Sequence, residues 1–499
     1  MTVTLTEKGE VWHDDVADVK ELDDGVDRHL AVHERPELSG LDEVELAALD
    51  KRTTRKIDIL MMPGLILLFL LNYIDRSNIA VAKVAGVDKT LGLTTTQYNT
   101  CVSVMYAGYV AFQVPSNMVA SRVKYPGLYI CTMCAIWGIV AGCHGAVQSY
   151  GGLAACRAVL GIVEAAFYPG ALYMISIFYT REQMALRGAI LWAGSQLGNA
   201  FSGLIAVPII TLNGRYGLEG WRWLFIVEGV LTVGCALVVM SYVPNRPETC
   251  RWLTPTERAR PLYRLEANRG TQDGTSEVGN WVALKLALTD PKAWMLVLIN
   301  QFNFIAASVT LFFPVVTATL GFSRTVTLVI TAPPYLLAVV VMTFNGWHSD
   351  KHRERSFHII VPFLFTIAAN TIAIATLNTG ARYFAMCLMP ASFYSASTIG
   401  YSWIGINITG PAIKRSIIFA LVNAFGSTTS IWTPYLYFAP PRYTAAFGVM
   451  LAASVCLILT TLCFRQYLKR QNAKLDRGED TGIHGPSLVQ IEAGFRYQL

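Results

Sequence analysis

Residues 70–80 read LLNYIDRSNIA, and whether they lie in water or in lipid decides the fold. They fall within an apolar stretch centred near residue 69, and eleven comparable stretches follow, centred near residues 108, 138, 162, 199, 232, 303, 336, 367, 392, 426 and 455. A bilayer-spanning helix needs about 20 mostly apolar residues. The composition agrees: 53% of the 499 residues are hydrophobic and only 15% charged. Backbone polar groups in hydrocarbon must be satisfied within each segment, and the runs are too long and too unalternating for barrel strands. The reading is an all-α membrane protein with twelve transmembrane helices, six before residue 244 and six after residue 292. Asp75 and Arg76 are then the anomaly, because a charge at the centre of such a helix costs about 2.5 to 3.5 kcal/mol on insertion scales.

The flanks divide the chain further: a tail over 1–50, a first six-helix half over 51–243, a central loop over 244–292, a second half over 293–467 and a C-terminal tail over 468–499. The first 50 residues hold fifteen acidic and four basic side chains, whereas the whole chain carries +6. Lacking an apolar run to bury, the tail is expected to be disordered and solvated, with LDEVELAALDKRTTRK forming a short amphipathic helix into the first span. No charged stretch followed by a short apolar core opens the chain, so the first span is expected to direct insertion without cleavage of a signal peptide.

Lys and Arg near span ends set orientation. Lys51, Arg52, Arg55 and Lys56 precede the first span, Arg251, Arg258, Arg260, Arg264 and Arg269 lie in the central loop, and Arg465, Lys469 and Arg470 follow the last span. Both termini and the central loop are expected in the cytosol. Lys83, Lys89, Arg215, Arg324, Arg382 and Arg442 would then lie outside. CTMC, residues 131–134, has redox spacing but sits in mid-span, where a thiol packs as a small apolar group. Asn407-Ile408-Thr409 matches a glycosylation acceptor at a helix end expected to face the cytosol, beyond that machinery.

Six spans, a hydrophilic loop and six more is the pattern of a duplicated carrier whose halves meet at a midplane site. Two short basic turns occupy equivalent places, PSNMVASRVKYP at 115–126 and GWHSDKHRER at 346–355. The second resembles the major facilitator loop motif, with Gly346, Asp350, Lys351 and Arg355. The first keeps Arg122 but has Asn117 and Ser121 where the motif has Gly and Asp. A basic side chain there can cap the negative end of a helix and help close one side of a carrier.

Within that superfamily the chain resembles the anion:cation symporter family, and more narrowly its fungal allantoate permease-like branch with nicotinate and pantothenate permeases. The resemblance rests on NYIDRSNIA, QVPSN, RAVLGIVEAAFYPG, GWRWLFIVEG, NRPETCRWLTPTERA, LTDPKAWML, TAPPYLLA and KRSIIFALVNAFG, in this order along residues 57–467. It implies the major facilitator fold and proton-coupled uptake of a small organic anion. It also implies proton roles for the acids of the first and fourth spans, Asp75 and Glu164, with Arg76 and Arg157 binding the anion or neutralising the acids.

The residues themselves allow such chemistry. Asp75 and Arg76 stand about 100° apart around a helix and cannot pair well with each other. Arg157 and Glu164, seven residues apart, share a face at roughly 10 Å along the axis. The expected arrangement pairs Asp75 with Arg157 and brings Arg76 to Glu164. An entering carboxylate would upset that balance, and a carboxyl deprived of its Arg in a poorly solvated cavity takes up a proton. Anion and proton would then bind together and each favour the other. The alternative is a salt-bridge network that only holds helices together.

Supporting candidates are Tyr109 with Gln113, Gln196 and Asn423, with Trp403, Asn407 and the aromatics Tyr106, Phe302 and Phe304 as weaker ones. Glu228 is expected to be structural and within reach of Arg222, and His144 to pack. Gly194, Gly198 and Gly203 should allow close helix approach in the fifth span. That span lacks the Gly-Pro pair of antiporter-type members. Pro169 and Pro333-Pro334 should interrupt their helices.

No nucleophile–base set, phosphate loop or metal constellation is visible, so neither an enzyme nor a cofactor is expected. The expected partners are a small organic anion, protons and the lipid bilayer, with no nucleic acid, for a chain acting as a monomer. Its expected address is the cell membrane, with the vacuolar membrane as the alternative. An exporter of an acidic metabolite and a non-transporting nutrient sensor are the competing readings.

Overall fold

The computed structural model describes Leu38 and residues 41–179, 181–262, 280–486, 490–491 and 494–499. Most of the acidic tail and, in the central loop, Arg264 and Arg269 lie outside the described residues.

The chain is helical, with no strand among the described residues. Helix α1, Glu43–Ala85, is a single rod of 43 residues. It opens on a capping box in which Asp42 accepts from the Glu45 amide at 2.6 Å and Glu45 accepts from the Asp42 amide at 3.2 Å. The expected amphipathic lead-in is therefore continuous with the first span. The rod ends at Gly86, whose φ of 102° is the left-handed conformation that stops a helix without a Cβ penalty. After it come α2, Thr95–Arg122, and α3, Pro126–Cys143. The fourth span is split into α4, Tyr150–Glu164, and α5, Phe167–Phe178. Pro169 explains the break, since its ring crowds the carbonyl four residues back, at Ala165. As a result Glu164 sits at the last position of α4.

Helices α6, Arg181–Ile210, and α7, Gly220–Tyr242, complete the first six spans. A short α8, Asn280–Thr289, leads into α9, Pro291–Ala306, and α10, Phe313–Ala318. The eighth span is α11, Arg324–Val329, then α12, Ala332–His352, which starts at Pro333-Pro334. Helices α13, Ser356–Ala375, α14, Thr379–Asn407, α15, Ala412–Trp432, and α16, Thr444–Asp476, follow.

Among the described residues, nine of these spans are long and apolar enough to cross a membrane. The three others, α2, α14 and α15, have 28, 29 and 21 residues, enough length at about 1.5 Å per residue. They carry more polar side chains, among them Gln113 and Asn407, both buried. Apolar residues such as Ile139, Val230, Val340 and Phe344 point outward and are more than half exposed. Such a surface suits hydrocarbon and not water.

Glycines set the closest approaches. A Cβ on Gly198 would lie 2.6 Å from the Leu70 carbonyl oxygen, so α6 packs backbone to backbone on α1 just before the charged motif. A Cβ on Gly203 would collide with the Leu328 carbonyl oxygen of α11. The first six and last six spans also meet through the hydroxyls of Thr100 and Tyr435 at 3.0 Å and the rings of Tyr98 and Phe312 at 6.1 Å.

Candidate functional site

Helix α1 carries Asn72, Asp75, Arg76, Ser77 and Asn78 within seven residues, and its rotation sends them to different neighbours. Arg76 Nε donates to Glu164 Oε2 at 2.8 Å. Glu164 is fully buried and Arg76 only 13% exposed, so water screens the pair little. The guanidinium lies over the Tyr109 ring at 4.5 Å and the Tyr73 ring at 5.5 Å, a stacking that suits a planar cation. Tyr109 in turn accepts from Gln113 Nε2 at 3.4 Å. The second carboxylate oxygen of Glu164, Oε1, has no protein partner.

Asp75 does not pair with Arg157. It turns to the other side of α1, where Trp137 Nε1 of α3 donates to Oδ2 at 2.8 Å and Thr232 Oγ1 of α7 at 3.4 Å. Asn78 Nδ2, one turn along α1, lies 3.5 Å from Oδ1. Arg157 is held elsewhere because Gly161 lets α4 close on α2 at Met105. Its Nε donates to the Cys101 carbonyl at 3.3 Å and its Nη2 to Met105 Sδ at 2.9 Å. Nη1 has no protein partner, although the residue is fully buried. Arg157 is thus a buried cation to which no carboxylate among the described residues is bonded.

Glu228 is also placed differently from expectation. Arg222, six residues earlier on α7, faces another direction and pairs with Glu219 at 2.5 Å and with the Gly145 and Val147 carbonyls at 2.8 and 2.6 Å. Glu228 instead accepts from Asn78 Nδ2. Neither Asn78, Trp137 nor Thr232 stood out in the sequence. The available signal was the three-residue spacing of Asp75 and Asn78, one helical face.

An aromatic wall lies beside Arg76. Tyr73 and Tyr168 stand edge-on to Trp192 at 6.4 and 5.8 Å, and Trp192 approaches Tyr401 of α14 at 6.4 Å. Tyr401 stacks on Phe419 of α15 at 6.3 Å, so the wall runs from α1 across to the last six spans. Gln196 is fully buried, donates to Ser195 Oγ at 3.1 Å and leaves Oε1 without a partner. Asn199 Nδ2, one turn on, donates to Tyr394 OH at 3.4 Å. Asn423 is half-buried on α15. Phe302 packs against the core, Phe304 fills the space above Gly426, and Tyr106 is buried beside the charged residues.

Several candidates belong to other clusters. Trp403 Nε1 and Asn407 Nδ2 both donate to the Gln498 carbonyl, at 2.9 and 2.8 Å, because residues 494–499 return against the end of α14. Thr409 joins the same region, donating to the His484 carbonyl at 2.8 Å. His144 packs as expected, its ring on Phe225 at 4.9 Å and Nδ1 at 2.9 Å from the Val140 carbonyl. Cys131 and Cys134 lie in the core with Trp137 and Phe167. In the loop motif Asp350 pairs with Arg355 at 2.6 Å, Arg355 also donates to Ser349 Oγ at 3.0 Å, and Lys351 lies over Trp347 at 5.2 Å. Gly346 has open space where a Cβ would sit, and Arg122 is exposed at the end of α2.

Arg76, held through Nε, and Arg157, whose Nη1 lacks a protein partner among the described residues, can each donate to an anion, and Glu164 Oε1 can accept a proton. Such groups at mid-span are those of a membrane carrier.

Comparison with known proteins agrees. The chain is 29% identical over 449 residues to the major facilitator-type transporter hxnP of Emericella nidulans, covering 87% of this chain and 89% of that protein. It is 29% identical over 442 residues to the high-affinity nicotinic acid transporter of Saccharomyces cerevisiae, covering 87% and 82% respectively. Its fold matches a bacterial homologue of the human lysosomal transporter Spinster in an inward-facing, occupied conformation. The TM-score is 0.62 at 19% identity, over 81% of this chain and 95% of that one. The Major Facilitator Superfamily model matches residues 65–434, and the chain is a membrane transporter of that superfamily.

Proposed function

We propose that the protein carries a small organic anion together with protons, by alternating access between the two six-helix halves. The observation that carries this reading is the part-buried Arg76–Glu164 pair, 2.8 Å apart, with the guanidinium also stacked on Tyr109. An entering carboxylate competes with Glu164 for Arg76. The displaced Glu164 carboxylate, fully buried, has lost its cation, and protonation removes the resulting charge. Anion binding and proton binding then reinforce each other by linkage. Arg157 supplies a second donor to the anion, and the wall of Tyr73, Tyr168, Trp192 and Tyr401 offers faces for a ring or an apolar body. Gln196 and Asn423 are assigned to substrate contacts from the two halves, and the Asp350–Arg355 pair to the cytosolic gate.

The 29% identical nicotinic acid transporter supports a carboxylate of the vitamin-acid class. The proposed location is the cell membrane with both termini in the cytosol, and the working unit a monomer. The test is uptake of a panel of labelled carboxylates, nicotinate first, into proteoliposomes with an acidic exterior. Accumulation that collapses with a protonophore supports the reading; uptake of none of the panel above protein-free vesicles, or uptake indifferent to the gradient, overturns it.

A further inference from the structure

Three buried carboxylates, Asp75, Glu164 and Glu228, lie in the first six spans with the buried guanidinium of Arg157 and the largely buried one of Arg76. Fully ionised, this set would hold one negative charge too many in a region from which water is largely excluded. Arg157 acts on Asp75 only at longer range, so the excess falls on Asp75 and Glu228. Glu164 has Arg76, whereas among the described residues no Lys, Arg or His forms a hydrogen bond or ion pair with Asp75 or Glu228.

Asn78 joins those two acids: its Nδ2 donates to Glu228 Oε2 and lies 3.5 Å from Asp75 Oδ1. Asp75 receives two further donors, the Trp137 indole N–H and the Thr232 hydroxyl, so it is the better-solvated carboxylate. Glu228 receives Asn78 alone. Two polar atoms of this cluster are buried without a partner, Glu228 Oε1 and Asn78 Oδ1, on side chains 1% and 0% exposed. Both are acceptors as long as Glu228 is ionised, and two orphan acceptors on bonded neighbours are unfavourable. A proton on Glu228 Oε1 makes it a donor. A carboxylic acid and a carboxamide are complementary, each offering one donor and one acceptor, so the acid O–H has the Asn78 carbonyl as its natural acceptor. Neutral Glu228 also removes the repulsion with Asp75, since close carboxylates in a poorly solvated site share a proton rather than both ionise.

We propose that Asp75, Asn78 and Glu228 form a second proton-binding site, separate from the Arg76–Glu164 pair, in which Glu228 holds the proton and Asp75 the charge. The proton comes from solvent and forms a single O–H bond at Oε1. Its consequence for transport rests on the proposed proton coupling: the resting carrier already holds one proton, and the anion brings another to Glu164.

Infrared spectroscopy of the purified, full-length, substrate-free protein tests the site without a transport assay. Near neutral pH the wild type should show a protonated carboxyl C=O band, shifted down when glutamate carries heavy carbon in its side-chain carboxyl. The band should be lost in Glu228→Gln, whose amide preserves shape and neutrality, and kept in Glu164→Gln. The absence of any band in the wild type, insensitivity to the glutamate label, or persistence in Glu228→Gln overturns the proposal. The isotope arm uses unaltered protein, so it stands even if a variant fails to fold. A band that behaves as expected alongside gradient-independent uptake would leave this site intact and sink the coupling reading.

Discussion

Asp75 and Arg76 are adjacent in the chain yet serve different clusters: Arg76 bonds Glu164 at 2.8 Å, while Asp75 bonds Trp137 at 2.8 Å on the other side of α1. One turn of helix therefore connects an ion pair facing the aromatic wall with an acid cluster facing α3 and α7. Movement of α1 changes both at once.

Replacing Arg76 by Lys keeps the charge but removes the planar fork and its stacking on Tyr109. Carboxylate uptake should fall by at least about tenfold, with surface expression unchanged. Uptake assays normalised to protein in the membrane check it; unaltered uptake would show that a point charge suffices.

Trp137→Phe retains the ring packing on Phe167, whose centroid lies 5.6 Å away, and deletes the N–H donor to Asp75. Leaving a buried carboxylate short of a donor should lower stability by about 1–3 kcal/mol. Thermal denaturation of the purified variant reads this directly.

Gly198→Val places a branched side chain against the Leu70 carbonyl and Tyr73 Cβ, which even a single Cβ would approach to 2.6 and 2.9 Å. Forced separation of α6 from α1 should cost roughly 1–3 kcal/mol or more and disturb the charged motif one turn later. Gly188→Val on the same helix meets nothing within 4 Å and should behave as wild type.

Glu257, outside the spans, shows a pH effect whose sign can be worked out. Burial pushes its carboxyl up, but Lys56 at 2.8 Å, the Thr254 amide at 3.0 Å and Arg52 at 3.3 Å outweigh this and hold it below its ordinary value. The folded protein binds this proton less readily than the unfolded chain. The contribution is therefore complete above the ordinary carboxylate range and is lost as pH falls through the depressed value. Glu257→Gln should loosen the central loop from α1 and be destabilised near neutral pH, the gap from wild type narrowing in acid. Melting temperature against pH for both proteins checks it.

Residues 494–499 bind several spans: the Leu499 carbonyl accepts from the Arg355 and Ser356 amides at 2.5 and 3.3 Å, and Tyr497 OH accepts from Lys292 at 3.1 Å. Deleting them should lower the melting temperature and raise protease access near residue 355. An unchanged melting curve would show that these contacts contribute little.

The spans were legible because twenty-residue apolar runs are local signals, and the turns between them because they are short and polar. The approach of Arg76 to Glu164 was expected because a mid-span charge needs a partner on another helix, but the same reasoning gave Asp75 to Arg157, which the structure does not show. The partner of Asp75 was not legible, because Trp137 and Thr232 sit in apolar runs where nothing local says which face meets α1. Arg157 was misassigned for a related reason: its neighbours are fixed by how closely Gly161 lets α4 approach α2. Trp403 and Asn407 were drawn into the site because their covering residue, Gln498, lies ninety-one positions from Asn407 in the chain, and no periodicity announces a return of that length.

The most direct measurement is proton movement in lightly buffered proteoliposomes when a transported carboxylate is added outside. Wild type should take protons up with the anion, so that the exterior becomes more alkaline. Glu164→Gln should lose that alkalinisation while still exchanging anion for anion. Anion entry into wild-type vesicles with no accompanying proton uptake would contradict coupling through the Arg76–Glu164 pair.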